Sequence, residues 1–105
     1  MKAVGLLRYG GPEVLQVIER PTPHAGHGEA RLRVRAAAVN PVDTLIRTGA
    51  SSVRLNGDAP VIAGLDIAGE VDEIGPGTTS DLSIGDRVMA MVNPTRAAGG
   101  GYPFV

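Results

Sequence analysis

The stretch Ala63-Gly64-Leu65-Asp66-Ile67-Ala68-Gly69-Glu70-Val71 decides how this chain folds; Gly75-Pro76-Gly77 and Gly85-Asp86-Arg87-Val88 follow it. Residues 65–74 read as a strand in which Ile67, Gly69 and Val71 share one face. Ile74 falls on the other face, which predicts a bulge near Asp72. Glycine inside a strand implies a backbone that passes close to other backbone. The two glycine turns close the run off.

Downstream, Leu82 and Ile84 anchor the next segment and Gly85-Asp86 makes a tight turn. Residues 87–92 are apolar on both faces and predict a buried strand. Residues 94–103 are rich in Ala, Gly and Pro, and Pro103 is poorly suited to a further strand. Upstream, residues 40–49 carry helix punctuation. Asn40 is an N-cap, Pro41 suits the first helical position, Asp43 complements the dipole and Gly49 follows the last turn. Val42, Leu45 and Ile46 at helical spacing predict one buried face. Residues 50–59 are polar and predict a surface loop.

The clearest alternation lies in residues 29–39. Leu32 and Val34 point one way, and Arg31, Arg33 and Arg35 the other. Such a row is an anion site or the wet side of an antiparallel sheet, and the second is the commoner case. Residues 3–7 read as a first strand, Tyr9-Gly10-Gly11-Pro12 as its turn, and residues 14–20 as the strand that pairs back on it. His24 and His27 lie in a Pro/Gly-rich loop with no carboxylate or cysteine placed beside them, so a solvated loop is favoured over a metal site.

The 105 residues suffice for one domain, which buries roughly 65% of its unfolded surface. A net charge of −1 gives no electrostatic reason to bind nucleic acid or an acidic membrane. The absence of cysteine excludes disulfides, thiolate metal ligation and a cysteine nucleophile. No apolar run approaches the roughly 18 residues of a membrane span, and the start has no signal-peptide core, so the cytoplasm is the expected compartment. Fifteen glycines and eight prolines with many short apolar runs predict a mainly β fold: a partly open β-barrel with one short helix at about residues 41–48.

Taken together, Ala36-Ala37-Ala38-Val39-Asn40-Pro41-Val42-Asp43, Gly64-Leu65-Asp66-Ile67-Ala68-Gly69-Glu70-Val71, Ile74-Gly75-Pro76-Gly77 and Gly85-Asp86-Arg87-Val88 resemble one family. It is the medium-chain dehydrogenase/reductase superfamily, in its zinc-independent quinone oxidoreductase branch. The resemblance runs over residues 1–101 and implies a GroES-like domain spanning residues 1–105, truncated relative to a family protein that continues into a Rossmann domain binding NADPH. Zinc-dependent relatives place a cysteine where Asn40 stands and Gly-His-Glu where Gly64-Leu65-Asp66 stands. Leucine offers zinc no lone pair and Asn40 does not replace a thiolate, so no zinc is expected.

By the same resemblance Asn40, Asp43, Leu45 and Leu65 line the substrate and nicotinamide cleft. Each also has a plainer reading: Asn40 as a cap, Asp43 as a dipole-matched carboxylate, and the neighbouring Asp66 as a strand-end acceptor. Several relatives carry tyrosine where Leu45 stands, and Leu45 cannot donate a hydrogen bond. No Gly-x-Gly-x-x-Gly follows a strand anywhere in the chain, so no cofactor phosphate site is expected in it. The expectation is the substrate-side domain of an NADPH-dependent quinone or enone oxidoreductase, inactive alone, with self-association through an exposed barrel edge. The alternative is a stand-alone GroES-like binding module without enzymatic activity. A co-chaperonin subunit is set aside because residues 21–28 are polar where a mobile apolar loop would be needed.

Overall fold

The computed structural model describes residues 1–51 and 60–93, together with the backbone of residues 103–104. The loop expected at 50–59 and the Ala/Gly/Pro-rich stretch after Asn93 fall almost wholly outside the described residues. Strand β1 (Lys2–Gly5) pairs antiparallel with β2 (Gln16–Glu19) across a short 3-10 turn at Pro12–Val14. Pro103–Phe104 pairs antiparallel with the other side of β1. Pro103 therefore does enter a strand, against the sequence expectation. It stands at the first position of a two-residue edge strand, where a missing N–H is tolerated best.

The second sheet has the order β3 (Ala30–Ala37), β4 (Asp66–Ile74), β5 (Arg87–Met91), antiparallel throughout. The register shifts twice between β3 and β4. Arg31 faces Glu73 while Leu32 faces Val71, so Asp72 is the extra residue and the bulge lies where the change of face put it. Val34 faces Gly69 while Ala36 faces Ala68, which makes Arg35 the extra residue of a second bulge. There the backbone of β3 lies so close over Gly69 that an added Cβ would run into the carbonyl of Arg33. Among the described residues the two sheets do not close into a barrel. The described residues are mainly β with one short α-helix, as expected.

The helix α1 (Pro41–Thr48) starts at Asn40 and ends on Gly49 in the left-handed conformation. Ile46 is buried with Leu6, Val14, Val61 and Ala63, and Val42 and Tyr9 pack against that cluster. A bridge between Leu6 and Val61, bonded in both directions at 2.9 Å, ties the end of β1 to the segment before β4. Leu45 does not join the buried face; it is 47% exposed. The inward stripe is narrow, running through Val42, Asp43 and Ile46, and Leu45 lies at its margin.

Residues 87–92 also depart from expectation. Met89 is 87% and Met91 78% exposed, because β5 is the edge of its sheet and no described residue covers its methionine face. Of the two anchors before it, Leu82 is half-buried and Ile84 is exposed.

The arginine row is the wet side of the sheet, and carboxylates of β4 match it. Arg31 Nε lies 2.7 Å from Asp72 Oδ1, and Arg31 also lies 3.5 Å from Glu73. Arg33 approaches Asp72 at 4.0 Å, and Arg35 pairs with Glu70 at 3.2 Å. His24 is not left without a carboxylate, as its sequence neighbours suggested: Glu73 Oε2 lies 3.1 Å from its Nδ1. The partner comes from 49 residues away, where the bulged end of β4 meets the loop. The Ala25 N–H donates to the other oxygen of Glu73. That bond first, then His24 and the charge of Arg31, hold the Glu73 carboxyl below its ordinary range. The hydrogen bond to Asp72 raises Arg31 in turn.

Two outcomes follow from this sheet. Gly69→Ala is expected to lower the unfolding free energy by about 2–3 kcal/mol in urea titrations, since backbone rather than a flexible side chain must give way. The second concerns pH. A carboxyl with a lowered folded pKa stabilises fully above its unfolded value and loses that contribution as pH falls through the folded value. Between about pH 5 and about pH 3, the urea midpoint of the wild type should therefore fall more steeply than that of Glu73→Gln. Parallel curves would show that the clasp carries no stability.

Candidate functional site

The site is built where the helix begins. Asn40 is extended, with φ −120° and ψ 161°, and Pro41 pre-sets the first helical position. The Asn40 backbone N–H donates to Asp43 Oδ2 at 2.8 Å. In return the Asp43 N–H reaches the Asn40 carbonyl at 2.9 Å. Asp43 is 5% exposed, and its other oxygen accepts the N–H of Gly64 at 2.9 Å. Gly64 is buried with φ +98°, a conformation that side chains disfavour, and this turns its N–H toward the carboxylate. One buried carboxylate thus fastens the helix start to the segment that enters β4.

The side chain of Asn40, part of a capping box with Asp43, also reaches across to β4. Its Nδ2 donates to Asp66 Oδ2 at 2.9 Å. Asp66 is the first residue of β4 and is exposed, and its carbonyl accepts the Ala38 N–H at 3.0 Å. Leu65 lies in the chain between Gly64, which donates to Asp43, and Asp66, which accepts from Asn40; it is half-buried, with its carbonyl accepting the Val92 N–H at 2.6 Å. Of the four residues expected at a cleft, Asn40 and Asp43 are bonded directly and Leu65 joins them through its neighbours. Leu45 stands on the exposed side of α1, and its carbonyl serves the N–H groups of Gly49, Ala50 and Ser51.

From sequence, Asp66 reads as the stand-in for a family carboxylate or as a strand-end acceptor; its partner Asn40 is 26 residues away, beyond the reach of local pattern. Beside it lies an open hollow of about 580 Å³, lined by Ala36–Ala38, Asp66–Ala68 and Met89–Met91, in which Asp66 supplies the polar lining side chain. Among the described residues no three His, Asp or Glu side chains gather as metal ligands. Nor is any described helix long and apolar enough to cross a membrane. The arrangement offers one oriented carboxamide at the rim of an apolar surface.

The two carboxylates should separate in a stability experiment. Asp43→Asn places an amino group against at least one of two N–H donors and is expected to cost about 2–3 kcal/mol in urea unfolding. Asp66→Asn, on an exposed side chain, should change it by no more than about 0.5 kcal/mol.

Comparison with known proteins identifies the domain. Residues 26–102 match the alcohol dehydrogenase GroES-like domain family. A quinone oxidoreductase of Lama guanicoe is 36% identical over 105 residues, covering 97% of this chain and 29% of the relative. A 2-haloacrylate reductase of a Burkholderia species is 36% identical over 88 residues, 84% of this chain and 26% of the relative. The crystal structure of Escherichia coli quinone oxidoreductase complexed with NADPH superposes with a TM-score of 0.76 at 30% identity, covering 89% of this chain and 28% of that one. The chain thus spans between a quarter and a third of the length of these proteins. It belongs to the alcohol dehydrogenase GroES-like domain family, among the quinone oxidoreductase-like medium-chain reductases.

Proposed function

We propose that this chain is the substrate-side domain of a zinc-independent, NADPH-dependent quinone or enone reductase of the cytoplasm, inactive or nearly so without a nucleotide-binding domain. The observation that carries the reading is the Asn40 carboxamide, held by Asp66 where zinc-dependent relatives hold a metal ligand. The donor set argues against zinc by its chemistry. Asn40, Leu65 and Asp66 offer one carboxylate, one amide and one hydrocarbon, where a catalytic zinc needs three good ligands.

The fit to NADPH is partial. The chain has no glycine fingerprint after a strand, so it does not cradle the phosphates. What it offers a nicotinamide is an apolar wall with one amide donor. NADPH supplies the hydride when bound by the complete protein. Asn40 keeps a second N–H beyond the one given to Asp66, and that N–H would donate to the acceptor oxygen on which charge develops. Leu45 cannot protonate this oxygen, so the proton must come from another donor, such as water. The exposed edge at Met89 and Met91 would pack on further chain in the complete protein, and would promote self-association of this domain alone.

Titration of the Met1–Val105 chain with NADPH, followed by nicotinamide fluorescence, should give no saturable binding, and 1,4-benzoquinone reduction by the same sample should be negligible. Both activities should appear in a protein that joins this chain to a nucleotide-binding domain. Micromolar NADPH binding by residues 1–105 alone would overturn the division of labour. A reading frame that stops at Val105 without such a domain would favour the stand-alone binding module.

A further inference from the structure

We infer that Asp66 is a positioning residue: it fixes the carboxamide plane of Asn40 so that the second amide N–H faces the acceptor. The inference rests on the reading of Asn40 given above and extends it to a residue which that reading treats only as a neighbour.

The argument begins with what capping requires. An asparagine N-cap uses its side-chain oxygen, which accepts from N–H groups of the first helical turn. Capping makes no demand on the amino group. Here that amino group donates to Asp66 Oδ2 at 2.9 Å, across 26 residues and from a different element. A carboxylate only accepts, so it also decides which end of the amide faces it: nitrogen toward Asp66, oxygen away. The Asn40 backbone is meanwhile fixed by Asp43. Main chain and side chain are pinned by two different carboxylates, and a residue that served only as a helix cap would need just the first.

The second carboxylate is also poorly placed to stabilise the fold. Asp66 is exposed, and Asn40 is half-buried. An exposed hydrogen bond adds little to folding, since water replaces it readily. It does hold the amide nitrogen toward Asp66, and with it the direction of the remaining N–H, beyond what the capping box with Asp43 fixes. Asp66 is also the polar side chain lining the apolar hollow between β3 and β5, so the pair stands at the rim of a surface suited to a flat, weakly polar acceptor.

The test uses Asp66→Ala, Asp66→Glu, Asn40→Ala and the double variant Asp66→Ala/Asn40→Ala. The first readout needs no activity. In the Met1–Val105 chain, the two side-chain N–H signals of Asn40 in 15N–1H spectra should move toward free-amide positions in Asp66→Ala. They should return part of the way in Asp66→Glu, with the melting temperature unchanged in both. Unmoved signals would overturn the inference. The second readout is 1,4-benzoquinone reduction by the complete reductase with NADPH. Asp66→Ala should lower kcat on the order of tenfold, with a smaller change in KM, and Asp66→Glu should recover part of it. In the Asn40→Ala background the same change should cost nothing further. Equal losses in both backgrounds would overturn the inference, because Asp66 would then act independently of Asn40. A wild-type enzyme that reduces no quinone would overturn the functional reading instead, and the spectra would still decide the pairing.

Discussion

A carboxylate taken out of water must be given hydrogen-bond donors, and at Asp43 those donors are the backbone N–H groups of Asn40 and Gly64. Much of the domain depends on meeting that demand. The N–H of Gly64 can face the carboxylate only if the chain adopts a positive φ there, and this fixes how the segment from Val61 to Ala63 enters β4. The same segment carries Val61 and Ala63 into the cluster with Leu6, Val14 and Ile46. The bond that starts the helix therefore also sets the angle at which its apolar stripe meets the core. Hydrophobic burial supplies the larger driving force, but it is non-directional. Asp43 gives it one geometry.

The β3–β4 ladder shows a related division between force and direction. Its two bulges occur at charged residues, Asp72 and Arg35. Each extra residue shifts the alternation and keeps charged side chains on the wet face while Ile67, Gly69 and Val71 stay buried. At the first bulge the charges gather, with Arg31 between Asp72 and Glu73, and Glu73 reaching His24 and Ala25. The second bulge presses β3 against Gly69, where no side chain fits.

Much of this was legible in the sequence because it is written in short-range pattern. Alternation located β3, caps located α1, and the change of face at Ile74 located the bulge at Asp72. The missed partnerships share one cause. Glu73 beside His24, Asp66 beside Asn40 and Gly64 on Asp43 are all partnerships across 21 or more residues, and no local period encodes them. Leu45 and the strand at 87–92 fail differently. Apolar side chains were expected to be buried, yet burial depends on what lies opposite, and at the edge strand β5 no described residue does. Pro103 taught the converse lesson: an edge strand needs fewer N–H donors than a central one.

The two ends of the β3–β4 ladder therefore differ in kind. At the Arg31–Glu73 end, the domain's own side chains satisfy one another and tie down the loop through His24. At the Ala37–Asp66 end, Ala36, Ala38, Val39, Met89 and Met91 present hydrocarbon to solvent, with Asn40 and Asp66 at the rim. Exposed hydrocarbon of this extent is costly in water, and an oriented amide beside it has more influence once water is excluded, because its field is then less screened. The end that no described residue covers is the one whose chemistry would gain most from being covered. Asn40 therefore stands at the rim of an exposed apolar surface rather than inside an enclosed pocket.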